Sequence, residues 1–172
     1  MTGLVKIDEL LKSHNKGFLK LSVSFSCLSK INDIEQGTLN YTERLSLIKS
    51  IIDHGLTYAT ILKPLLPFIP IDEYEKIIDD TISFSDDYII GGLYINHSTN
   101  FFEEYNLKKY PIHEKSVNWA HDNPTWQYIE DINMKNQICD YIHNSDGFFH
   151  DSDSEFIKGV IINNKTKIYA NV

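Results

Sequence analysis

The sequence predicts an α/β fold, a partial (β/α) TIM-like barrel arc of parallel strands with a mostly helical C-terminal extension. Three observations predict it. Segments with helical spacing of apolar residues alternate with strand-like segments three times within about the first 90 residues. Each strand is separated from the next by a helix, and such crossovers are right-handed and make neighbouring strands parallel. The strand at 57–63 leaves through Lys63 into Pro64, Pro67 and Pro70 at every third position. Proline lacks a backbone N–H and cannot continue inside a sheet, so a stiff, apolar segment must exit there.

The elements follow in chain order. "KIDELLKSH" carries Ile7, Leu10 and Leu11 at helical spacing, and Gly17 suits a helix exit. "FLKLSVSFS" alternates Leu19, Leu21, Val23 and Phe25 with Lys20, Ser22, Ser24 and Ser26, a strand over 19–26. "NYTERLSLIKSIIDHG" opens on Asn40 and Glu43, spaced as a capping box, and carries the stripe Leu45, Ile48, Ile51 and Ile52 before Gly55. After the strand at 57–63, "IDEYEKIIDDTISF" opens on Asp72 and Glu75, again three apart, and presents Tyr74, Ile77, Ile78 and Ile82 to a core. "DYIIGGLYIN" is expected to be one third strand over 87–95. Residues 1–97 therefore form the barrel part and 98–172 an extension packed on it. In that extension "HEKSVNWAHDNPTWQYIEDINMKNQICDYIH" is expected as helix, turn at Asn123-Pro124, and helix, and "FIKGVIINNKTKIYANV" as a terminal hairpin.

Composition excludes several classes of function. Sixteen Lys and Arg against 24 Asp and Glu give a net charge of −8, so no cationic excess exists to neutralise a phosphate backbone. No apolar run reaches the roughly 18 residues that span a bilayer. Lys6, Asp8 and Glu9 stand where a signal peptide needs an apolar stretch, and a cytoplasmic protein is expected. Cys27 and Cys139 lie far apart with no CxxC, which speaks against a disulfide framework and a cysteine-rich metal site. His97, His113, His121, His143 and His150 are too scattered for a ligand set. "DSDSE" at 151–155 begins like a calcium loop, but Phe156 replaces the required glycine and Ile162 the closing glutamate.

The stretch from Val23 to Pro70 carries a resemblance. Val23 to Ser26, Glu35, Glu43-Arg44-Leu45, Gly55-Leu56 and Pro64/Pro67, in that order and spacing, resemble the second half of a radical S-adenosylmethionine barrel. The branch is the DNA-repair photolyase or spore photoproduct lyase type, and the similarity covers roughly Ile7 to Tyr94. Such enzymes hold a [4Fe–4S] cluster in a CxxxCxxC loop after their first strand. This sequence has no such loop, so the resemblance implies the C-terminal part of a longer enzyme or a truncated relative. No iron–sulfur cluster is expected on this chain alone, and S-adenosylmethionine is the cofactor implied. Within the resemblance, Ser24 and Ser26 face the ribose or methionine end of the cosubstrate, and Arg44 grips its carboxylate. Leu66 and Pro67, with Leu65, flank the adenine, and Gly91 and Gly92 admit the base close to the last strand. The same residues also read as a polar sheet face, a surface arginine, a rigid connector and a bulge.

Two other readings stand beside this one. Lys63, at a strand's carboxyl end, has the position of a Schiff-base lysine in a class I aldolase. A degenerate barrel fragment could instead bind a partner chain through its open sheet edges. The substrate is not legible in any of these readings.

Overall fold

Apolar residues that recur with period two between apolar helices settle into a parallel sheet covered by helices. A computed structural model describes residues 21–96, 100–117, 120–121 and 124–158. The first part runs β1 (Leu21–Ser24), α1 (Ile31–Ile34), α2 (Tyr41–Asp53), β2 (Tyr58–Leu62), α3 (Ile71–Thr81), β3 (Asp87–Ile90) and β4 (Leu93–Ile95). The second runs α4 (Phe101–Glu104), a 3-10 turn at Leu107–Lys109, β5 (Ile112–Ser116), β6 (Thr125–Ile129), α5 (Ile132–Asn144), β7 (Phe148–His150) and α6 (Asp153–Lys158). The helix expected around "KIDELLKSH", and most of the terminal hairpin, lie outside the described residues. Phe156–Lys158 close α6 rather than open a strand.

The main sheet has the order β1-β2-β3-β7, parallel throughout. Val23 stands opposite Thr60, and Thr60 opposite Tyr88. The parallel arrangement expected for the first three strands is thus observed, and β7 continues it from within the C-terminal extension. Val23, Tyr58, Leu62, Tyr88 and Ile90 join Ile48 of α2 and Tyr74, Ile77 and Ile78 of α3 in one core cluster, so both helices cover the same face. Ala59, Ile61 and Ile89 line the other face, against Phe156 of α6. No described helix is long and apolar enough to cross a membrane.

Helix α2 begins as its sequence indicates. Asn40 accepts from the Glu43 N–H, and the Glu43 carboxylate accepts from the Asn40 N–H, a complete capping box. Gly55, with φ +70, closes its exit in the left-handed region. Helix α3 differs from expectation at its start. It begins at Ile71 with Pro70 at the N-cap position, and since proline's ring offers no acceptor the helix has no side-chain cap.

The strand expected over 87–95 is a correction. It ends at Ile90, and Leu93–Ile95 leaves the sheet to pair antiparallel with β6. The Gly91 carbonyl is taken by the Leu65 N–H at 2.8 Å, and the Gly92 N–H donates to the Tyr128 hydroxyl at 3.3 Å. A Cβ on Gly92 would lie 2.5 Å from the Ile129 carbonyl oxygen, so only glycine permits this junction. The second correction follows. Residues 112–116 and 125–129 form strands of a three-stranded sheet of order β4-β6-β5, where the expectation put parts of two helices on either side of the Asn123-Pro124 turn. Only 132–144 is helical, N-capped by Asp131, whose carboxylate accepts from the Met134 N–H. Strand β4 offers β6 a pairing edge, and that edge exists only because the chain breaks at the two glycines.

Tyr74 ties the strand exits together. Its fully buried hydroxyl accepts from the Leu66 N–H and donates to the Ser26 carbonyl, each at 2.8 Å. Tyr74→Phe keeps the ring's packing but leaves a donor and an acceptor buried without partners, a cost of about 1–3 kcal/mol. Urea denaturation should show a lower midpoint at unchanged m-value.

Candidate functional site

In parallel sheets, ligand chemistry collects at the carboxyl edge and the loops beyond it. Here that edge holds Ser24 and the loop after β1, Lys63 after β2, Gly91 and Gly92 after β3, and Asp151 after β7. The sequence-predicted residues occupy three distinct places on it.

The first is the exit of β1. Arg44 is 6 % exposed. Its Nε donates to the Leu39 carbonyl at 2.8 Å, and its Nη2 to Glu35 at 2.6 Å and to the Thr38 hydroxyl at 2.8 Å. Its Nη1 donates to the Ser24 carbonyl. The guanidinium fork is thus engaged by the protein itself and holds the end of β1. The Ser24 hydroxyl donates to the Lys63 carbonyl at 3.3 Å, linking β1 to β2. An open groove of about 230 Å³ lies alongside, lined by Ser22, Ser24, Leu39, Arg44 and Leu47 among others.

The second is a buried layer. Ser26 is 1 % exposed and its hydroxyl faces the Cys27 sulfur. Leu66 and Pro67 are buried, and the Pro67 carbonyl accepts from the Tyr110 hydroxyl at 2.7 Å. The apolar exit of β2 therefore packs as core beneath the edge. Burial pushes the Cys27 thiol up, and pushes Cys139 up to about 11.

The third is a cavity of about 210 Å³. Lys63, Ile90, Gly91 and Gly92 from the main sheet line it together with Tyr94, Lys115 and Tyr128 from the second sheet, and Glu130, Lys135 and Asp151. A Cβ on Gly91 would lie 3.0 Å from the Lys63 stem, and one on Gly92 would lie 2.8 Å from the Tyr128 ring. The Tyr128 hydroxyl donates to Glu130 at 2.8 Å, and burial together with that carboxylate raises its pKa. Lys135 bridges Glu130 at 3.1 Å and Asp151 at 2.7 Å. Burial opposes its charge, but its hydrogen bonds to the two carboxylates outweigh burial and hold the ammonium above its usual range.

The structure thus brings Gly91 and Gly92 together with Lys63, places Ser24 next to them through the Lys63 carbonyl, and keeps Ser26, Leu66 and Pro67 beneath. Lys115, Tyr128, Glu130, Lys135 and Asp151 were missed by sequence reading. The available signal was the alternation of Trp126 and Tyr128 with Gln127, which marks a strand carrying Tyr128 and Glu130 in alternate positions.

No family model matches the sequence, and no curated protein matches it. Among solved structures the chain is similar to two point mutants of spore photoproduct lyase, with TM-scores of 0.51 and 0.50 at 12% and 13% identity. Both matches cover 81% of this chain and 44% of that chain. The fold is a partial spore photoproduct lyase fold. At this identity the likeness is one of fold alone, and the chain spans less than half the length of the lyase chains it matches. It is similar to the lyase fold that the resemblance in residues 23–70 implied.

Two outcomes test the edge. Arg44→Ala strips a buried ion pair of one partner and should cost about 3 kcal/mol of unfolding free energy without any ligand. Arg44→Lys should recover less than half of it, since the fork is lost. Glu73 is the second. Its carboxylate accepts from the Leu28 and Ser29 N–H groups at 2.8 and 3.0 Å and from the Ser29 hydroxyl at 2.5 Å. Burial raises its pKa, but these bonds outweigh burial and hold it below its ordinary 4.5. A carboxylate with a depressed folded pKa stabilises above its unfolded value, and that contribution is lost as pH falls through the folded one. Glu73→Gln should therefore destabilise by about 1 kcal/mol near neutrality, discounted for partial exposure. The gap to the unaltered chain should close as pH drops below 4.5, measured by denaturation across pH.

Proposed function

We propose that this chain is the S-adenosylmethionine-binding part of a cytoplasmic radical S-adenosylmethionine-type enzyme. It acts with a CxxxCxxC iron–sulfur loop that its own sequence does not contain. The observation that carries the reading is the Gly91-Gly92 pair. In a fold similar to spore photoproduct lyase, the two glycines line a cavity at the carboxyl edge, with the Lys63 stem and the Tyr128 ring packed where their side chains would stand, and we read that cavity as a cradle for a flat base. Two further features support it. Among the described residues β1 has a strand neighbour on one side only, which is where the remainder of a barrel would add. The net charge of −8 favours a protein that does not grip nucleic acid through bulk electrostatics.

The residues present fit the cosubstrate in part. Gly91 and Gly92 would receive the base, and the Ser24 hydroxyl would face the ribose from the end of β1. Arg44 would act through the Ser24 carbonyl that it holds, with Ser26, Leu66 and Pro67 supporting the edge from below. S-adenosylmethionine bound at an iron–sulfur cluster supplies the radical chemistry of such enzymes. On this reading, the chain by itself binds the cosubstrate and does not cleave it.

Titration calorimetry of the chain with S-adenosylhomocysteine, a non-cleavable relative, tests the assignment. Saturable binding is expected, and Gly91→Val, which fills the cradle and pushes the Lys63 stem aside, should weaken it at least about tenfold, one steric loss of roughly 1.4 kcal/mol. Absence of saturable binding, or a Gly91→Val variant that binds equally well, overturns the reading.

A further inference from the structure

The cavity carries more cationic groups than its internal network uses. Lys135 is fully committed between Glu130 and Asp151. Lys63 is not. Its stem lies along Gly91, and its ammonium makes a long 3.9 Å contact with Asp153, whose side chain is 60% exposed. At that length and exposure the pair is worth little. Lys115 lines the same cavity from β5, with its Nζ 3.3 Å from the centre of the Tyr128 ring. Among the described residues no carboxylate pairs with it. The Tyr128 hydroxyl is anchored twice, accepting from the Gly92 N–H and donating to Glu130, so its ring gives the Lys115 side chain a fixed aromatic floor.

We propose that Lys63 and Lys115 form an oxyanion-binding site, taking a carboxylate or phosphate group of a ligand seated in this cavity. The incoming anion displaces the weak Asp153 contact from Lys63 and accepts from both ammonium groups. The Tyr128–Glu130–Lys135–Asp151 chain remains intact as the wall. Because Glu130 and Asp151 are already bound to Lys135, they repel the anion less than free carboxylates would. Asp153, at the rim, acts as an internal competitor. The site stands on these side chains and does not depend on a nucleoside occupying the glycine cradle.

Two sources share this chemistry, an amino-acid carboxylate and a phosphate, and both are used as probes. Inorganic phosphate and methionine are titrated separately, with binding followed by NMR of the lysine side chains. At least one is expected to bind saturably. Lys63→Gln and Lys115→Gln should each weaken that probe about tenfold, the loss of one charge-assisted hydrogen bond. Lys108→Gln, whose ammonium pairs with Glu103 outside the cavity, should leave it unchanged. Asp153→Asn should tighten binding, since Lys63 then has no competing carboxylate. Preference for phosphate points to a phosphorylated ligand, and preference for methionine to an amino-acid carboxylate. Failure of both probes, indifference to Lys63→Gln and Lys115→Gln, or weaker binding in Asp153→Asn overturns the proposal. The S-adenosylhomocysteine titration reads the glycine cradle instead, so either site can fail without the other.

Discussion

One hydroxyl group sets the geometry on which the rest of the carboxyl edge depends. Tyr74, rising from α3, joins the carbonyl of Ser26 to the N–H of Leu66 in a region without solvent. A buried backbone group without a partner costs more than an ordinary hydrogen bond contributes, so the tie is effectively obligatory. It fixes the path of the β2 exit, and from that path the Leu65 N–H reaches the Gly91 carbonyl. The Ser24 hydroxyl and Arg44 complete the set, binding the Lys63 and Ser24 carbonyls. The exits of β1, β2 and β3 are thus locked to one another beyond the ends of the sheet ladder.

The proline spacing after β2 follows from the same constraint. A connection that runs through a core must satisfy each backbone donor it buries. Pro64 and Pro67 have no donor to satisfy. The donors of Leu65, Leu66 and Ile69 go to Gly91, Tyr74 and Leu66 respectively. Leu65, Leu66 and Ile69 can then be buried almost completely, at roughly 1.5–3 kcal/mol each. A stiff, greasy exit is what allows a loop to serve as core.

Legibility in the sequence followed the range of the interactions. The capping box at Asn40, the buried stripe of Tyr74, Ile77 and Ile78, and the parallel run of β1, β2 and β3 rest on local periodicity, and periodicity shows in a single chain. The break at Gly91-Gly92 does not. Its cause is the β6 backbone and the Tyr128 ring, 36 positions further along, and two glycines in an apolar run suit a bulge equally well. Missing that break concealed β4 as a pairing partner, and without β4 the segment around Trp126 lost its reason to be a strand. Arg44 shows a different limit. In the sequence it reads as a carboxylate ligand or a surface arginine, because its engagement by Glu35, Thr38 and two carbonyls depends on how the loop from 28 to 40 folds back.

The candidate site is therefore a product of the junction between two sheets. The parallel sheet contributes Lys63 and the two glycines, as α/β topology requires at a carboxyl edge. The antiparallel sheet contributes Tyr94, Lys115 and Tyr128, and α5 with the exit of β7 adds Lys135 and Asp151. Only a glycine at 92 lets the chain pass from one sheet to the other in a single step, because the Ile129 carbonyl occupies the space of a side chain. The residue that lets the fold change sheets thus also lines the cavity. Every charged group that lines the cavity, Lys63 apart, comes from beyond residue 110. In this arrangement the parallel sheet supplies a backbone edge, and the antiparallel sheet, α5 and the exit of β7 supply most of the charge that faces the cavity.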